Sequence, residues 1–324
     1  MRNEKINYRS EWKVARILGL YLLAALGSHA GTSSPTPPIT HPAPPDLDIT
    51  RGVEIGKGGD KILHAEIIRA KDQIPTRGII YVHGGGWAGG TYEDGIGRCY
   101  FIARAGYLVA SIEYRLTGEA KWPAQIEDCK LGVRWLRANA AHYHIDPAHI
   151  GICGHSAGGH LVACVGTMDN PILEGHGGYE GISSKVQAVV DMAGPVDFRN
   201  GNFSEGSEYV SSFRAGADTE LLTALLGVPY AANSETYREA SPICHVSADD
   251  PPFLIIHGQK DPIVSTAQAT VFADALRRAR VSVDLLIVKN GDHGLGPVPG
   301  GPAADPDINV LFARVGAFFD RNLK

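Results

Sequence analysis

The sequence predicts an α/β protein in which helices cover both faces of a mostly parallel sheet. Two observations support this prediction. After residue 50, apolar, β-rich segments alternate with segments of helical spacing. The apolar segments have the composition of strands buried on both faces, as the strands of parallel sheets are. The chain has 324 residues, of which 44% are hydrophobic, so it is long enough to bury one large core.

The predicted elements follow one another in a regular order. A strand over 61–70 pairs with a shorter strand over 52–56, and a helix over 123–143 begins with a proline and carries its apolar residues on one face. Further strands are predicted over 78–84, 107–114, 149–154, 186–194, 252–258 and 281–289. Further helices are predicted over 97–106, 156–168, 265–279 and 307–323.

Residues 195–250 interrupt the alternation. This segment contains short helical pieces and loops, and it lies between two predicted strands. An insertion at this place would lie over one edge of the sheet. We therefore expect a cap-like excursion that contributes to a substrate pocket; a plain surface excursion is the alternative.

The first 49 residues have a different composition from the rest of the chain. A basic region precedes an apolar run over 17–27, and the small residues Ser28 and Ala30 follow. This order predicts a signal peptide over 1–30 and a secreted or periplasmic protein. An uncleaved membrane anchor is the alternative, but the apolar run is shorter than the roughly 20 residues needed to span a bilayer. Residues 31–49, rich in Pro, Ser and Thr, are the predicted linker to a catalytic domain over 50–324.

The charge of the chain argues against a nucleic-acid partner. The whole chain carries a formal net charge of −5; without residues 1–30 it keeps 25 Lys and Arg against 33 Asp and Glu, a net of −8. The five cysteines are widely spaced and form no CxxC, so we expect neither a disulfide framework nor a metal site, although a single bridge stays open. No stable membrane insertion is expected once the signal peptide is removed.

The segment "ICGHSAGGH" over 152–160 carries the strongest chemical signal. Gly154, Ser156 and Gly158 form G-x-S-x-G between a predicted strand and a predicted helix. In such a strand–turn–helix the serine occupies a tight, strained turn, and its neighbours two residues away must be small. The turn exposes the hydroxyl and directs the N-terminus of the helix at the reacting centre. Ser156 is therefore the predicted nucleophile.

A serine hydroxyl needs a base, and a carboxylate usually orients that base. "LIIHGQKDPIV" places Asp261 just after one strand, and "NGDHGLG" places His293 in a glycine-flanked loop after the next. The chain order of serine, acid and histidine is that of the α/β-hydrolases. Asp197, which follows an earlier strand, is the alternative acid. No group of His, Cys and Asp residues shows metal-ligand spacing.

The three glycines of "HGGGW" over 83–87 end a strand that precedes the serine. A serine that attacks an ester creates an oxyanion, which needs backbone N–H donors that are already in place. Side chains would prevent close approach to that backbone. We therefore predict an oxyanion hole formed by Gly85, Gly86 and Ala157, with Trp87 as a further candidate donor.

Taken together, HGGGW, GHSAGG, HGQKD and GDHG, in this order, resemble the α/β-hydrolase esterases related to hormone-sensitive lipase. The segment "YRLTGEAKWPAQIEDC" over 114–129 is similar to a further family motif, so the resemblance covers roughly 50–324. The tryptophan of HGGGW is most similar to the branch with bacterial feruloyl and acetyl-xylan esterases. Members of that branch are often exported and act on esters of plant cell-wall polysaccharides. Trp87 and His155 are the expected substrate contacts.

The resemblance implies an α/β-hydrolase fold and a serine carboxylesterase that works through an acyl-enzyme and needs no cofactor. Its expected partner is a small-molecule or polysaccharide-linked ester. Three alternatives stay open: a general short-chain carboxylesterase or lipase-like enzyme, an amide hydrolase such as a peptidase or arylformamidase, and an inactive binding protein on a hydrolase scaffold. The sequence leaves the oligomeric state open.

Overall fold

Eight strands form one sheet in the order β1-β2-β4-β3-β5-β6-β7-β8. They are seen in a computed structural model that describes residues 43–200, 203–204, 217–230 and 235–324. Strands β3 to β8 run parallel to one another, whereas β1 and β2 are antiparallel to their neighbours. The strands are β1 (Leu47–Gly58), β2 (Lys61–Ala70), β3 (Gly78–Val82), β4 (Leu108–Ile112), β5 (Ile150–His155), β6 (Ala188–Met192), β7 (Phe253–Gly258) and β8 (Val283–Val288).

The helices fall where the sequence pattern predicted them, with one exception. They are α1 (Ile96–Arg104), α2 (Ala124–Ala138), α3 (Ala140–Tyr143), α4 (Ala157–Thr167), α5 (Ala217–Leu226), α6 (Glu235–Glu239), α7 (Thr266–Arg278) and α8 (Ile308–Asn322). The predicted single helix over 123–143 is interrupted at Asn139. The side-chain amide of Asn139 donates to the carbonyl of Trp135 at 2.8 Å, a local hydrogen bond that competes with the helical backbone pattern.

The sheet begins at Leu47, five residues before the predicted strand over 52–56 and three before the predicted domain start at 50. Leu47 is buried and pairs with Ala70, so β1 includes the last residues of the predicted 31–49 linker. Residues 45–324 form one compact unit. The predicted signal peptide over 1–30 and most of the linker lie outside the described residues. No helix in the described part of the chain is long and apolar enough to cross a membrane.

Both faces of the central strands are buried, which explains their continuous apolar runs. On one face, α2, α4 and α7 contribute Ile126, Leu161 and Phe272 to the larger hydrophobic cluster. On the other face, α1 and α8 contribute Ile102 and Phe319 to a second cluster. The parallel strands consequently have their carboxyl ends along one edge of the sheet, where loops can bring distant residues together.

Helix α4 lies unusually close to the sheet, and Gly158 permits this approach. A Cβ atom at Gly158 would lie 2.1 Å from the carbonyl oxygen of Val82 and 2.6 Å from that of His83. Both neighbours are backbone atoms of the sheet edge, so they cannot move aside as a flexible side chain would.

We therefore expect Gly158→Ala to lower the free energy of unfolding by about 3 kcal/mol, the upper end of the usual cost of overpacking. Denaturant unfolding followed by circular dichroism measures this change. Gly118→Ala is the matched control, because a Cβ at Gly118 would meet no atom within 4 Å. Equal stability of the two variants would contradict the close-packing argument.

Candidate active site

Ser156 occupies a sharp turn between β5 and α4. Its backbone has φ 58° and ψ −122°, a conformation that residues with a side chain rarely adopt. The turn requires a small residue at Gly154, because a Cβ there would lie 2.4 Å from the carbonyl oxygen of Gly158. The amide of Ser156 donates to the carbonyl of Met192 at 2.8 Å, which ties the turn to the neighbouring strand. The predicted strand–turn–helix geometry is thus present.

The structure brings Ser156, His293 and Asp261 into one hydrogen-bonded chain. Nε2 of His293 lies 2.8 Å from Oγ of Ser156, and Nδ1 of His293 lies 2.7 Å from Oδ2 of Asp261. Asp261 follows β7 and is buried, whereas His293 follows β8 and is partly exposed. Both residues reach Ser156 because the strands that precede them are parallel to β5 and end at the same edge of the sheet.

The carboxylate of Asp261 accepts hydrogen bonds at both oxygens. Oδ1 accepts from the amides of Ile263 at 2.8 Å and Val264 at 3.0 Å, and Oδ2 lies near both His293 and His257. Burial by itself would raise the pKa of Asp261, but the charge of His293 and the hydrogen bonds from both histidines lower that pKa far below its usual range. An ionised Asp261 accepts the Nδ1 proton of His293, so the Nε2 lone pair faces the serine hydroxyl.

The other acidic residues near the site have different partners. Asp197, the alternative acid, forms an ion pair with Arg199 at 2.6 Å. Asp292 accepts from the amides of Gly294 and Gly296 through Oδ1. The carboxylate that contacts His293 is that of Asp261. The structure therefore excludes the alternative assignment of Asp197.

The glycine loop after β3 lies directly against the serine. A Cβ at Gly84 would lie 3.1 Å from the Cβ of Ser156, and Gly85 and Gly86 have left-handed φ values of 111° and 61°. Among the described residues, no acceptor takes a hydrogen bond from the amides of Gly85, Gly86 or Ala157. These three N–H groups, the predicted oxyanion donors, are therefore available to donate to a ligand atom.

Trp87 does not contact substrate with its side chain, which corrects the sequence-based expectation. The indole is buried, and its Nε1 donates to Nδ1 of His160 at 3.2 Å. It packs edge-to-face against Phe198 and Phe203, with ring centroids at 5.8 and 6.2 Å. The carbonyl of Trp87 accepts from the amide of Thr117 at 2.9 Å. Trp87 is consequently an anchor that fixes the end of the glycine loop in the core.

His155 also has a different contact from the one expected. Its Nε2 lies 2.7 Å from the carbonyl oxygen of His293, and the two rings lie 4.9 Å apart. Burial, together with the charges of Arg98 and His293, lowers the pKa of His155 well below its usual range. The neutral ring therefore donates from Nε2 and holds the loop of His293. Arg98 adds a second link to that loop by donating to the carbonyl of Gly294 at 3.2 Å.

The 195–250 excursion reaches the site through α5. A Cβ at Gly86 would lie 3.2 Å from the side chain of Leu221 on α5. The amide of Trp122 donates to the carbonyl of Leu225, and Nζ of Lys121 donates to that of Ala224, both at 2.9 Å. These bonds hold α5 over the oxyanion loop. The excursion thus places an apolar side chain beside the reacting centre, in agreement with a pocket-forming role.

Sequence reasoning missed two residues that hold the loops around the site, namely Arg98 and His160. His160 is buried and links two segments: Nδ1 accepts from Trp87, so Nε2 carries the proton, which it donates to the carbonyl of Ala240 at 2.8 Å. The "GGH" that ends the serine motif was the available signal.

Within the described ranges, no group of three His, Cys, Asp or Glu side chains could hold a metal ion, and all five cysteines are free.

The buried state of His160 predicts a pH dependence of stability. Burial lowers the pKa of His160 from 6.5 to about 4. As pH falls from 6.5 towards 4, the unfolded chain takes up a proton that the folded chain does not, so stability is lost in this window. We expect the free energy of unfolding of the wild type to fall by roughly 1–3 kcal/mol relative to His160→Asn between pH 7 and pH 4.

Denaturant titrations at several pH values within this window measure the difference. The exposed His142 on α3 provides the control: His142→Asn keeps His160, so it should follow the wild-type pH dependence. Parallel curves for the wild type and His160→Asn would show that His160 does not titrate as its burial requires.

The sequence of this chain is similar to those of known esterases. The sequence profile of the BD-FAE family matches residues 67–276. Esterase LipC of Mycobacterium tuberculosis is 32% identical over 256 residues, which is 76% of this chain and 61% of LipC. Esterase LipQ of the same organism is 34% identical over 250 residues, which is 75% of this chain and 56% of LipQ. The chain therefore spans somewhat over half the length of these relatives.

Solved structures with the same fold include carbohydrate esterases. The bifunctional GH43-CE protein of Bacteroides eggerthii shares 28% identity at a TM-score of 0.70, over 85% of this chain and 35% of that protein. A truncated carbohydrate esterase from gut microbiota shares 29% identity at a TM-score of 0.69, over 85% and 96% of the two chains.

A thermophilic esterase of Thermogutta terrifontis, Est2, solved with butyrate bound, shares 25% identity with this chain. The two structures superpose with a TM-score of 0.63, over 86% of this chain and 93% of Est2. The mostly parallel sheet agrees with these matches. The chain has the α/β-hydrolase fold and belongs to the BD-FAE family, among the esterases related to hormone-sensitive lipase.

Proposed function

We propose that the protein is a serine carboxylesterase that hydrolyses carboxylic esters through an acyl-enzyme. The observation that carries this proposal is the hydrogen-bonded chain from Ser156 through His293 to Asp261, with contacts of 2.8 and 2.7 Å. The amides of the glycine loop beside Ser156, which have no acceptor among the residues that the structure describes, support it. The relatives LipC and LipQ are named as esterases, which agrees with the same reaction class.

In the first half of the reaction, Oγ of Ser156 attacks the ester carbonyl while Nε2 of His293 takes the hydroxyl proton. The carbonyl oxygen becomes an oxyanion that accepts from the amides of Gly85, Gly86 and Ala157. Each such donor is typically worth about 3–4 kcal/mol of barrier. The ionised Asp261 stabilises the positive charge that His293 then carries.

In the second half, the tetrahedral intermediate collapses and His293 gives its proton to the leaving alkoxide. A water molecule then replaces the alcohol, and His293 removes a proton from this water as it attacks the acyl-enzyme. The same amides bind the second oxyanion, which collapses to the free acid as Oγ of Ser156 leaves and takes the proton back from His293. Asp261 stays ionised throughout, because hydrogen-bond donors from the backbone and from two histidines are in place before the reaction begins.

We further propose that the substrate is an acetyl or feruloyl ester of a plant polysaccharide. Two of the matching structures are named as carbohydrate esterases, and a third was solved with butyrate, a short acyl acid. The apolar side chain of Leu221 beside the oxyanion loop suits the acyl part of such an ester. The alternative is a general short-chain carboxylesterase, which the experiment below distinguishes from a polysaccharide esterase.

Ser156→Ala should fold as the wild type does and lose activity by about 10⁴-fold or more, because the nucleophile is removed. Ester release is measured on acetylated xylan, methyl ferulate and nitrophenyl esters of short and long acids. Ser183→Ala, an exposed serine far from the site in sequence, is the control and should keep full activity.

Release of acetate or ferulate from the plant substrates supports the polysaccharide proposal. Activity confined to short nitrophenyl esters contradicts that substrate and leaves a general carboxylesterase. Labelling by a fluorophosphonate separates both from an inactive scaffold. A wild type that neither labels nor hydrolyses any ester would contradict the carboxylesterase proposal itself.

We also propose export of the protein, since the composition of residues 1–30 is that of a signal peptide. In a bacterial host that expresses the full chain, the exported protein should begin at Gly31, as read by N-terminal sequencing. Ala30→Arg places a large charged residue at the cleavage position and should block this processing. Wild-type protein that keeps Met1 in the cytoplasm would contradict the proposal.

A further inference from the structure

A second histidine contacts the acid of the site. His257 is the penultimate residue of β7 and is fully buried. Its Nε2 lies 3.1 Å from Oδ2 of Asp261 and 3.0 Å from the carbonyl oxygen of Val264. The same Oδ2 lies 2.7 Å from Nδ1 of His293. Two imidazoles therefore approach one carboxylate oxygen, one from β7 and one from the loop after β8.

The contacts of His257 define its protonation state. Both partners of Nε2 are oxygen atoms that accept, so Nε2 carries a hydrogen and donates it. Nδ1 is buried and has no hydrogen-bond partner among the described residues. A proton on Nδ1 would leave a buried N–H unpaired, which is costly. Nε2 is consequently the donor nitrogen of His257.

A packing role alone does not account for this residue. An unpaired buried nitrogen costs about 1–3 kcal/mol, whereas an apolar side chain of similar size would fill the same space without that cost. The neighbouring acid on β6, Asp191, is also buried and has an unpartnered Oδ2. The contacts that offset the cost of burying His257 are those of its Nε2 with the carbonyl of Val264 and with the carboxylate of Asp261.

We propose that His257 is a positioning residue, which donates to Oδ2 of Asp261 and so fixes the oxygen that orients His293. This inference rests on the serine carboxylesterase proposed above. The amides of Ile263 and Val264 hold only Oδ1. His293 also contacts Oδ2 and changes charge during the reaction, whereas the Nε2 donor of His257 keeps its place beside the same oxygen.

The shared oxygen also sets the strength of the bond between Asp261 and His293. A carboxylate oxygen that accepts from two donors is a weaker acceptor for each than an oxygen that accepts from one. Removal of the His257 donor should therefore shorten the remaining hydrogen bond and deshield the proton on Nδ1 of His293. This spectroscopic consequence would not follow if His257 only filled space.

Two substitutions separate the donor from the bulk of the side chain. The amide nitrogen of His257→Gln can occupy the place of Nε2 and donate to Oδ2, whereas His257→Leu has similar size and no donor. We expect His257→Leu to label Ser156 with a fluorophosphonate about tenfold more slowly, less than the roughly 10²-fold loss that a misplacement of 1 Å can cause. The labelling rate of His257→Gln should stay within about twofold of the wild-type rate.

Proton NMR of the full chain provides the second readout. The Nδ1 proton of His293 should move downfield in His257→Leu and return to its wild-type position in His257→Gln. If the leucine variant does not fold, His257→Asn replaces it, because its shorter amide does not reach Oδ2. Equal labelling rates and an unmoved proton in the folded variant without a donor would overturn the proposal.

Neither the labelling rate nor the proton signal depends on the choice of ester. A result that contradicts the role of His257 can therefore be told apart from one that contradicts the proposed function. Loss of ester hydrolysis with normal labelling would contradict the proposed substrate only. Equal losses in the leucine and glutamine variants, with no change in the proton signal, would show that His257 acts through packing. Thermal unfolding of each variant identifies losses that arise from stability.

Discussion

The left-handed backbone of Ser156 is the constraint on which the rest of the site depends. A residue with a side chain is strained at φ 58°, and the turn persists because its surroundings leave no alternative. Helix α4 packs closely against the edge of the sheet, and this is possible because Gly154 and Gly158 have no side chain at the contact. The strain exposes the hydroxyl and directs the amide of Ala157 at the same point. The packing of one helix thus positions both the nucleophile and a candidate oxyanion donor.

Three histidines, of which His83 and His160 are buried and His155 is half-buried, hold the loops that meet at this turn. His155 binds the backbone of His293, His160 links Trp87 to Ala240, and His83 stacks on Tyr114 with ring centroids 4.3 Å apart. Burial lowers the pKa of each of these three rings, so each stays a neutral donor or acceptor with a fixed tautomer. Asp261, by contrast, stays ionised. The site therefore concentrates its charge on the Asp261–His293 pair, where the chemistry requires it.

The glycine loop and the excursion form one unit with respect to substrate. The side chain of Trp87 anchors the loop in the core, and Leu221 of α5 lies against the loop at Gly86. Hydrogen bonds from Lys121 and Trp122 hold α5 in this place. Substitution of residues in the excursion would therefore alter both the pocket and the environment of the oxyanion donors. This coupling gives a physical reason why family members could change substrate without changing the serine, acid and histidine.

The sequence by itself determined the alternation of strands and helices and the three residues that meet at the site. It could do so because parallel strands end at one edge of the sheet, so that residues after β5, β7 and β8 converge whatever the intervening segments do. The small residues around Ser156 and the glycines of the loop are likewise local requirements of tight backbone turns. Such requirements restrict the residue type at the position where they act, so the sequence shows them directly.

Only the tertiary structure decided where the side chains around these residues point. Trp87 and His155 flank the site in sequence, yet one indole enters the core and one imidazole binds the loop of His293. The assignment of His257 to Asp261 depends on a register between side chains that no local pattern records. The interruption of the long helix at Asn139 and the start of the sheet at Leu47 also follow from contacts that form in the folded chain. Backbone turns are encoded locally, whereas side-chain partners depend on elements that are distant in sequence.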